Sequence, residues 1–284
     1  MRRRPLAQLP SLKEAAGLSL VLFLPACADM PLEDGITLSS YQSLKPSNGN
    51  VVKSKIMIET QALATARTVR IVPTAVSPSA AAKIRDVQDL TLISNAVDRS
   101  MCVALSDRYQ IVGPHQPADL TVHASIVNII PTNKAMAGVS TVTSLGAGAV
   151  LSVPVPRLPI GLGGLDAEAE AMGSDGMQKA AMVWSRGADS FTTAARMSQV
   201  GDAYALAGSF GNDFGKMLVK GQSPFKGVGS SPSGQKLWSQ MGGKSKYAAC
   251  EAFGRAPGLA GAIGSKLGLP PNWTDKQGAS ATKS

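Results

Sequence analysis

Residues 165–186 read LDAEAEAMGSDGMQKAAMVWSR, two runs of alternating residues either side of Gly173-Ser174-Asp175-Gly176. Period-two alternation marks a strand with one covered face, and Gly and Asp supply the backbone conformations of a tight reversal. The stretch therefore predicts a β-hairpin, Leu165 to Met172 and Met177 to Arg186. Pairing across a four-residue turn sets Leu165 opposite Trp184, Ala167 opposite Met182 and Ala169 opposite Ala180. On the other face Asp166, Glu168 and Glu170 form a row, with Glu170 opposite Lys179.

Outward from the hairpin, Leu120 to Ile130 alternates with Leu120, Val122, Ala124, Ile126 and Ile130 inward, and Pro131 ends it. Gln110 to Val112 and Thr68 to Val72 read as shorter strands. Two helices complete the pattern. In Asp86 to Arg108, Val87, Leu90, Ser94, Val97, Met101 and Ala104 form an apolar stripe, with Asp89, Asp98, Arg99 and Asp107 off it. In Gln199 to Val219 the stripe is Val200, Tyr204, Ala207, Gly211, Phe214 and Leu218. There Gly211 and Gly215 allow close backbone approach at about 1 kcal/mol each in helix propensity. The expected fold is α+β, a mixed, mostly antiparallel sheet with two helices packed on one face.

With 44% hydrophobic and 17% charged residues in 284, the chain is too apolar to be wholly disordered. Its net charge of +9 suggests a nucleic-acid binder until it is divided along the chain. Residues 1–26 hold four cations and one anion, residues 27–219 hold 15 Lys/Arg against 16 Asp/Glu, and residues 220–284 hold 9 against 2. The body is therefore neutral, and the basic character belongs to the leader and the tail.

The leader predicts export. Arg2 to Arg4 precede the apolar run Gly17 to Ala26, which has signal-peptide length and is too short to span a bilayer. Leu24-Pro25-Ala26-Cys27 resembles the lipobox of bacterial lipoproteins, which implies acylation of Cys27 and a stable multi-chain anchor. Ala28 follows the Cys where an Asp would resemble an inner-membrane retention signal, so the outer membrane, facing the periplasm, is the expected location. With Cys27 lipidated, Cys102 and Cys250 are the remaining thiols. They form either a disulfide in an oxidising periplasm or two buried reduced thiols. The domain layout expected is a signal peptide at 1–26, a tether at 27–66, an α+β domain at 67–219 with a Gly-rich flap at 135–164, and a basic flexible tail at 220–284.

A family resemblance joins these features. The lipobox, Tyr41-Gln42-Ser43-Leu44-Lys45-Pro46, Ala118-Asp119-Leu120-Thr121-Val122 and Glu168-Ala169-Glu170 before Ser174-Asp175-Gly176 together resemble the bacterial lipoproteins of domain of unknown function 3313, over roughly residues 38–219. The resemblance implies an exported, lipid-anchored α+β domain and brings no catalytic residues. More distantly, the strand order is similar to that of periplasmic domains of curli-secretion-type lipoproteins and of the N-terminal domain of the Tol-Pal translocation protein, an analogy of fold alone.

Candidate chemistry is sparse. Asp166, Glu168 and Glu170 have the spacing of a cation or acid/base site, but a solvated strand face has the same spacing, and no oxygen-rich loop adjoins them. His115 and His123 lack partners at metal-ligand spacing. No Gly-x-Ser-x-Gly elbow supports a hydrolase, and Gly161-Leu162-Gly163-Gly164 lacks the strand, helix and Lys of a phosphate loop. No metal, cofactor or enzymatic activity is expected. Across 135–164 the single charge is Arg157, so this segment reads as a long loop or short Gly-rich helix, or as a flap for a membrane or partner. The expected function is a non-enzymatic binding or envelope-assembly module. It would offer a sheet face and the flap to an envelope protein or to anionic cell-wall or lipid partners, and not to nucleic acid. The alternative is a subunit of an oligomeric outer-membrane pore or export machine whose 135–164 segment inserts in the bilayer.

Overall fold

The computed structural model describes residues 30–151, 157–227, 233–276 and 278, with backbone alone for 144–151. In chain order its elements begin with β1 (Lys45–Pro46), β2 (Lys53–Ile58), α1 (Thr60–Thr65), β3 (Thr68–Ile71), β4 (Ala75–Val76) and α2 (Pro78–Ala81). There follow α3 (Val87–Leu105), β5 (Gln110–Val112), β6 (Leu120–Ile130), α4 (Lys134–Leu151), β7 (Gly164–Gly173), β8 (Gln178–Gly187) and α5 (Gly201–Lys220). The tail adds α6 (Gly234–Gln240), α7 (Gly258–Lys266) and 3-10 turns at Ala248–Phe253 and Pro271–Trp273.

The strands form one sheet in the order β1-β2-β8-β7-β6-β3-β5, with β4 also on β6. From β1 through β6 the pairing is antiparallel, and β3 is parallel to β5 and β6. The expected α+β class and mixed sheet are present. α3 and α5 lie on one face, joined by helices the pattern did not count.

All six α5 stripe residues are buried, with Phe210 meeting Trp184 at 5.6 Å between ring centroids. α3 departs from expectation at the start of its stripe and on the face opposite it. Val87 is 73% exposed, while Asp98 and Arg99, assigned to the wet face, are 1% and 7% exposed. α3 has no wet face there. Asp98 accepts from the Thr74 N–H and hydroxyl, and Arg99 pairs with Asp275 of the tail at 2.7 Å. Burial, opposed by the Thr74 donors, pushes the Asp98 carboxyl up to about 7.

The hairpin forms in a register two residues from that expected. Ala167 faces Trp184, Ala169 faces Met182, Ala171 faces Ala180, and Leu165 faces Arg186. The turn is the cause. Gly173 pairs with Met177 around a left-handed Gly176 at φ 73°, and a register shift follows Ala171/Met172. An even slip preserves both faces, but Lys179 now pairs with Asp175 and Glu59, and Glu170 lies opposite Ala181.

Regular elements also form within three segments expected to be irregular. The 27–66 tether contains β1, β2 and α1: Lys53–Ile58 pairs antiparallel along β8, and the two-residue β1 pairs with its other side. The 135–164 flap is largely helix α4, its start seated by buried Ala137, Ser140 and Thr141. The described tail is folded: Cys102 and Cys250 are disulfide-bonded with Cα atoms 5.9 Å apart, and the Lys246 ammonium donates to the Ser106 carbonyl at 2.9 Å. The signal peptide and Cys27 lie outside the described residues.

Close approach of α3 and α5 depends on glycine at positions 211 and 215 and not at 208. A Cβ on Gly211 would sit 2.3 Å from the Val97 carbonyl oxygen, and one on Gly208 would find its nearest neighbour, the Ser100 hydroxyl, at 3.4 Å. Gly211→Ala is expected to cost about 1–3 kcal/mol in urea unfolding despite better helix propensity. Gly208→Ala should be neutral or stabilising by up to about 1 kcal/mol. Equal effects at the two positions would refute the packing account.

Candidate functional site

The carboxylate row is the first sequence-derived candidate, and it is not solvated. Glu168 and Glu170 are 0% and 6% exposed because residues 30–44 cross the sheet over β7 and β8. Glu168 accepts from Gly35 N at 2.7 Å, the Thr37 hydroxyl at 2.5 Å and the Tyr41 hydroxyl at 2.7 Å. Glu170 accepts from Ser39 N and its hydroxyl, and from the Gln178 amide at 2.6 Å. Asp166 accepts from Asn128 at 2.8 Å, and burial raises its pKa against that hydrogen bond. Burial, reinforced by the Glu168 carboxylate, pushes the Tyr41 hydroxyl up to about 12. The Glu168 and Glu170 lone pairs a cation would need are taken up by chain donors, so these two carboxylates are a latch for the N-terminal arm. Leu38, Ala181 and Val183 pack beneath it with Tyr41 and Leu44.

The other candidates are placed as follows. His123 is exposed on β6 and His115 is exposed in the turn after β5. Arg157 is buried against Asp202 at 2.5 Å, and Gly163 N donates to the same carboxylate at 2.8 Å. The backbone donor of the Gly-rich stretch is thus held by an internal anion. Among the described residues no group of three or more His, Cys, Asp or Glu could hold a metal ion. Nor is any helix among them long and apolar enough to cross a membrane.

A site the sequence reading missed lies on the outer side of the helix layer. α3, α5 and α6 enclose a groove of about 530 Å³ lined by Ser100, Asp107, Ser209, Asn212, Lys216, Lys220, Lys236, Ser239 and Gln240, among others. α5 presents Lys216 and Lys220 one turn apart, and α6 brings Lys236 across from them. Burial lowers the Lys236 pKa, opposed by Asp107 at 3.8 Å and reinforced by Lys216. Three ammonium groups therefore face one carboxylate in a space edged with hydroxyls and amides. The i, i+4 lysines were legible as a helix face. That a tail residue would complete the set was not.

The chain matches the model of the family described as Protein of unknown function (DUF3313) over residues 33–214. No curated protein matches it. Among solved structures it is similar to a PelC dodecamer from Paraburkholderia phytofirmans, at 10% identity and TM-score 0.36 over 61% of this chain and 98% of that one. A variant of the same dodecamer gives 10% identity and TM-score 0.33 over 63% and 96%. Both likenesses are too distant to bear on the site. The family match spans most of the arm, every strand of the sheet and most of α5, so this chain belongs to the DUF3313 family.

Proposed function

We propose that the protein is a non-enzymatic binding module of the bacterial envelope, anchored to the outer membrane through acylated Cys27 and facing the periplasm, with an anionic, hydroxyl-rich ligand. The groove carries the ligand class. Lys216, Lys220 and Lys236 outnumber Asp107, and Lys236 is 9% exposed, so an anion entering there replaces incomplete hydration with charge-assisted hydrogen bonds. Ser100, Ser209, Asn212, Ser239 and Gln240 match the hydroxyls of a sugar scaffold. Phosphate or carboxylate on such a scaffold occurs in cell-wall polymers and in glycolipid headgroups alike. The lipobox supports the envelope setting, as does a disulfide between Cys102 and Cys250 in a chain with an export leader.

Calorimetric titration of the detergent-solubilised full-length protein with oligogalacturonate and with inorganic phosphate tests the ligand class. Binding should weaken as salt rises, and Lys216→Gln with Lys236→Gln should lower affinity at least tenfold while the thermal unfolding midpoint holds. Affinity unchanged in the double variant would overturn the groove as the site.

A further inference from the structure

The N-terminal arm fixes how the domain meets its anchor. Two residues, Ala28 and Asp29, separate Cys27 from Met30. Three Cα steps limit the separation of Cys27 from Met30 to about 11 Å. Met30 is seated in the fold at 2% exposure, with its Sδ against the bare Cα of Gly164. Its carbonyl accepts from the Lys53 ammonium at 2.8 Å, and the Pro31 carbonyl accepts from the Ser185 hydroxyl at 3.1 Å. From there the arm follows β7, meeting Glu168 through Gly35 and Glu170 through Ser39. The chain thus enters at the end of the sheet where β6 stops and β7 starts, opposite the 173–177 turn.

That same end is apolar at its surface. Val139 and Val142 of α4, Ile160, Phe191, Met197 and Leu267 are 49%, 73%, 41%, 72%, 43% and 47% exposed. They belong to segments that hold one another. A Cβ on Gly138 would sit 3.6 Å from the Met197 sulfur, Arg157 N donates to the Ser190 carbonyl at 3.0 Å, Met197 N donates to the Gly268 carbonyl at 2.8 Å, and Gly268 abuts Thr141.

We propose that this end of the domain rests on the bilayer that holds the acyl chains, with Val142 and Phe191 in the headgroup layer; the inference rests on the lipidation of Cys27. The occupant follows from the length of the connection. About 11 Å of chain exceeds one interfacial layer, about 5–8 Å, by only a few Å, so a domain latched at Met30 is held against the membrane, and its entry end is the one brought down. The groove then opens away from the lipid. α5 starts beside Gly163 with Asp202, and 18 residues of helix carry Lys220 about 27 Å along its axis toward the opposite end.

The test uses the lipidated full-length protein in phosphatidylethanolamine/phosphatidylglycerol vesicles containing nitroxide-labelled lipid. Val142→Cys, Phe191→Cys and, at the opposite end, Ser174→Cys are each labelled with bimane, the native pair being bonded. Quenching at positions 142 and 191 should exceed that at 174 several-fold. Equal quenching at all three overturns the inference. So does a disulfide-linked dimer of the unlabelled Val142→Cys variant together with no quenching at that position, which would assign the patch to a second copy. Radiolabelled palmitate separates the two levels. Label absent from the wild type or retained by Cys27→Ser removes the anchor and this inference together, whereas label lost in Cys27→Ser with no differential quenching removes this inference alone.

Discussion

Glu168→Ala should release residues 31–44 from the back of the sheet, lowering stability by about 3–5 kcal/mol and raising amide exchange across that segment by orders of magnitude. Glu168 is fully buried and takes four hydrogen bonds from three residues of the arm, Gly35, Thr37 and Tyr41. The Tyr41 hydroxyl in turn accepts from Thr37 N and Leu38 N at 2.9 and 3.1 Å. Removing the carboxylate leaves buried donors unmet, a cost of about 1–3 kcal/mol for each that cannot reach water. The arm can escape that cost by lifting, but lifting exposes Leu38 and Val183. Glu168→Gln should fall between, since one amide oxygen still accepts while the amide nitrogen opposes a donor. Exchange unchanged in Glu168→Ala would sink the latch. Release would also change what the arm does, because chain freed as far as Leu44 spans up to about 60 Å. With the proposed anchor at Cys27, release of the latch would let the domain swing above the membrane it is proposed to rest on.

That latch was half legible. Alternation over Leu165 to Met172 correctly placed Asp166, Glu168 and Glu170 on one face and the alanines on the other, because a strand's side chains strictly alternate. It could not say what covers the carboxylates. The complementary signal stood 127–131 residues upstream, where Thr37, Ser39 and Tyr41 repeat donors at the same period of two. Pro31, Gly35 and Pro46 punctuate that stretch, so it reads as a tether. The helices were legible for the opposite reason: α5 is buried along its whole stripe, and its period alone identifies the face. On α3 the same rule misplaced Asp98 and Arg99, whose partners, Thr74 and Asp275, come from elements no local pattern connects to them. The groove failed in the same way, since Lys236 reaches it through a tail that charge counting alone reads as solvated.

Cys250→Ser should remove about 5 kcal/mol of stability in the loop-entropy model, for a crosslink between residues 148 apart. The loss should fall unevenly along the chain. Cys102 is buried on α3 within the main core, with the helix stripe, the sheet and Cys250 all in one cluster. The 3-10 turn Ala248–Phe253, by contrast, offers Cys250 and Phe253 as its buried residues. Beyond the disulfide, the described tail keeps the Arg99–Asp275 pair, to which the Tyr204 hydroxyl also donates, the Lys246 bond to the Ser106 carbonyl, the Met197 N bond to the Gly268 carbonyl, and the Ser233 and Lys236 contacts with Asp107. A buried ion pair is a poor clamp once its surroundings loosen, because water entering weakens the attraction it was held by, and single hydrogen bonds at the rim do not replace a covalent link. Residues 233–276 should therefore become sensitive to protease in Cys250→Ser while 67–219 stays folded at reduced stability. Because Lys236 belongs to the loosened tail, affinity for the anionic probe should fall with it, although no groove residue has been changed. Wild-type protein should resist thiol alkylation in denaturant until reduced. Alkylation of both Cys102 and Cys250 without reductant, or a Cys250→Ser tail as protease-resistant as the wild type, would show that something other than this bond holds the tail against α3.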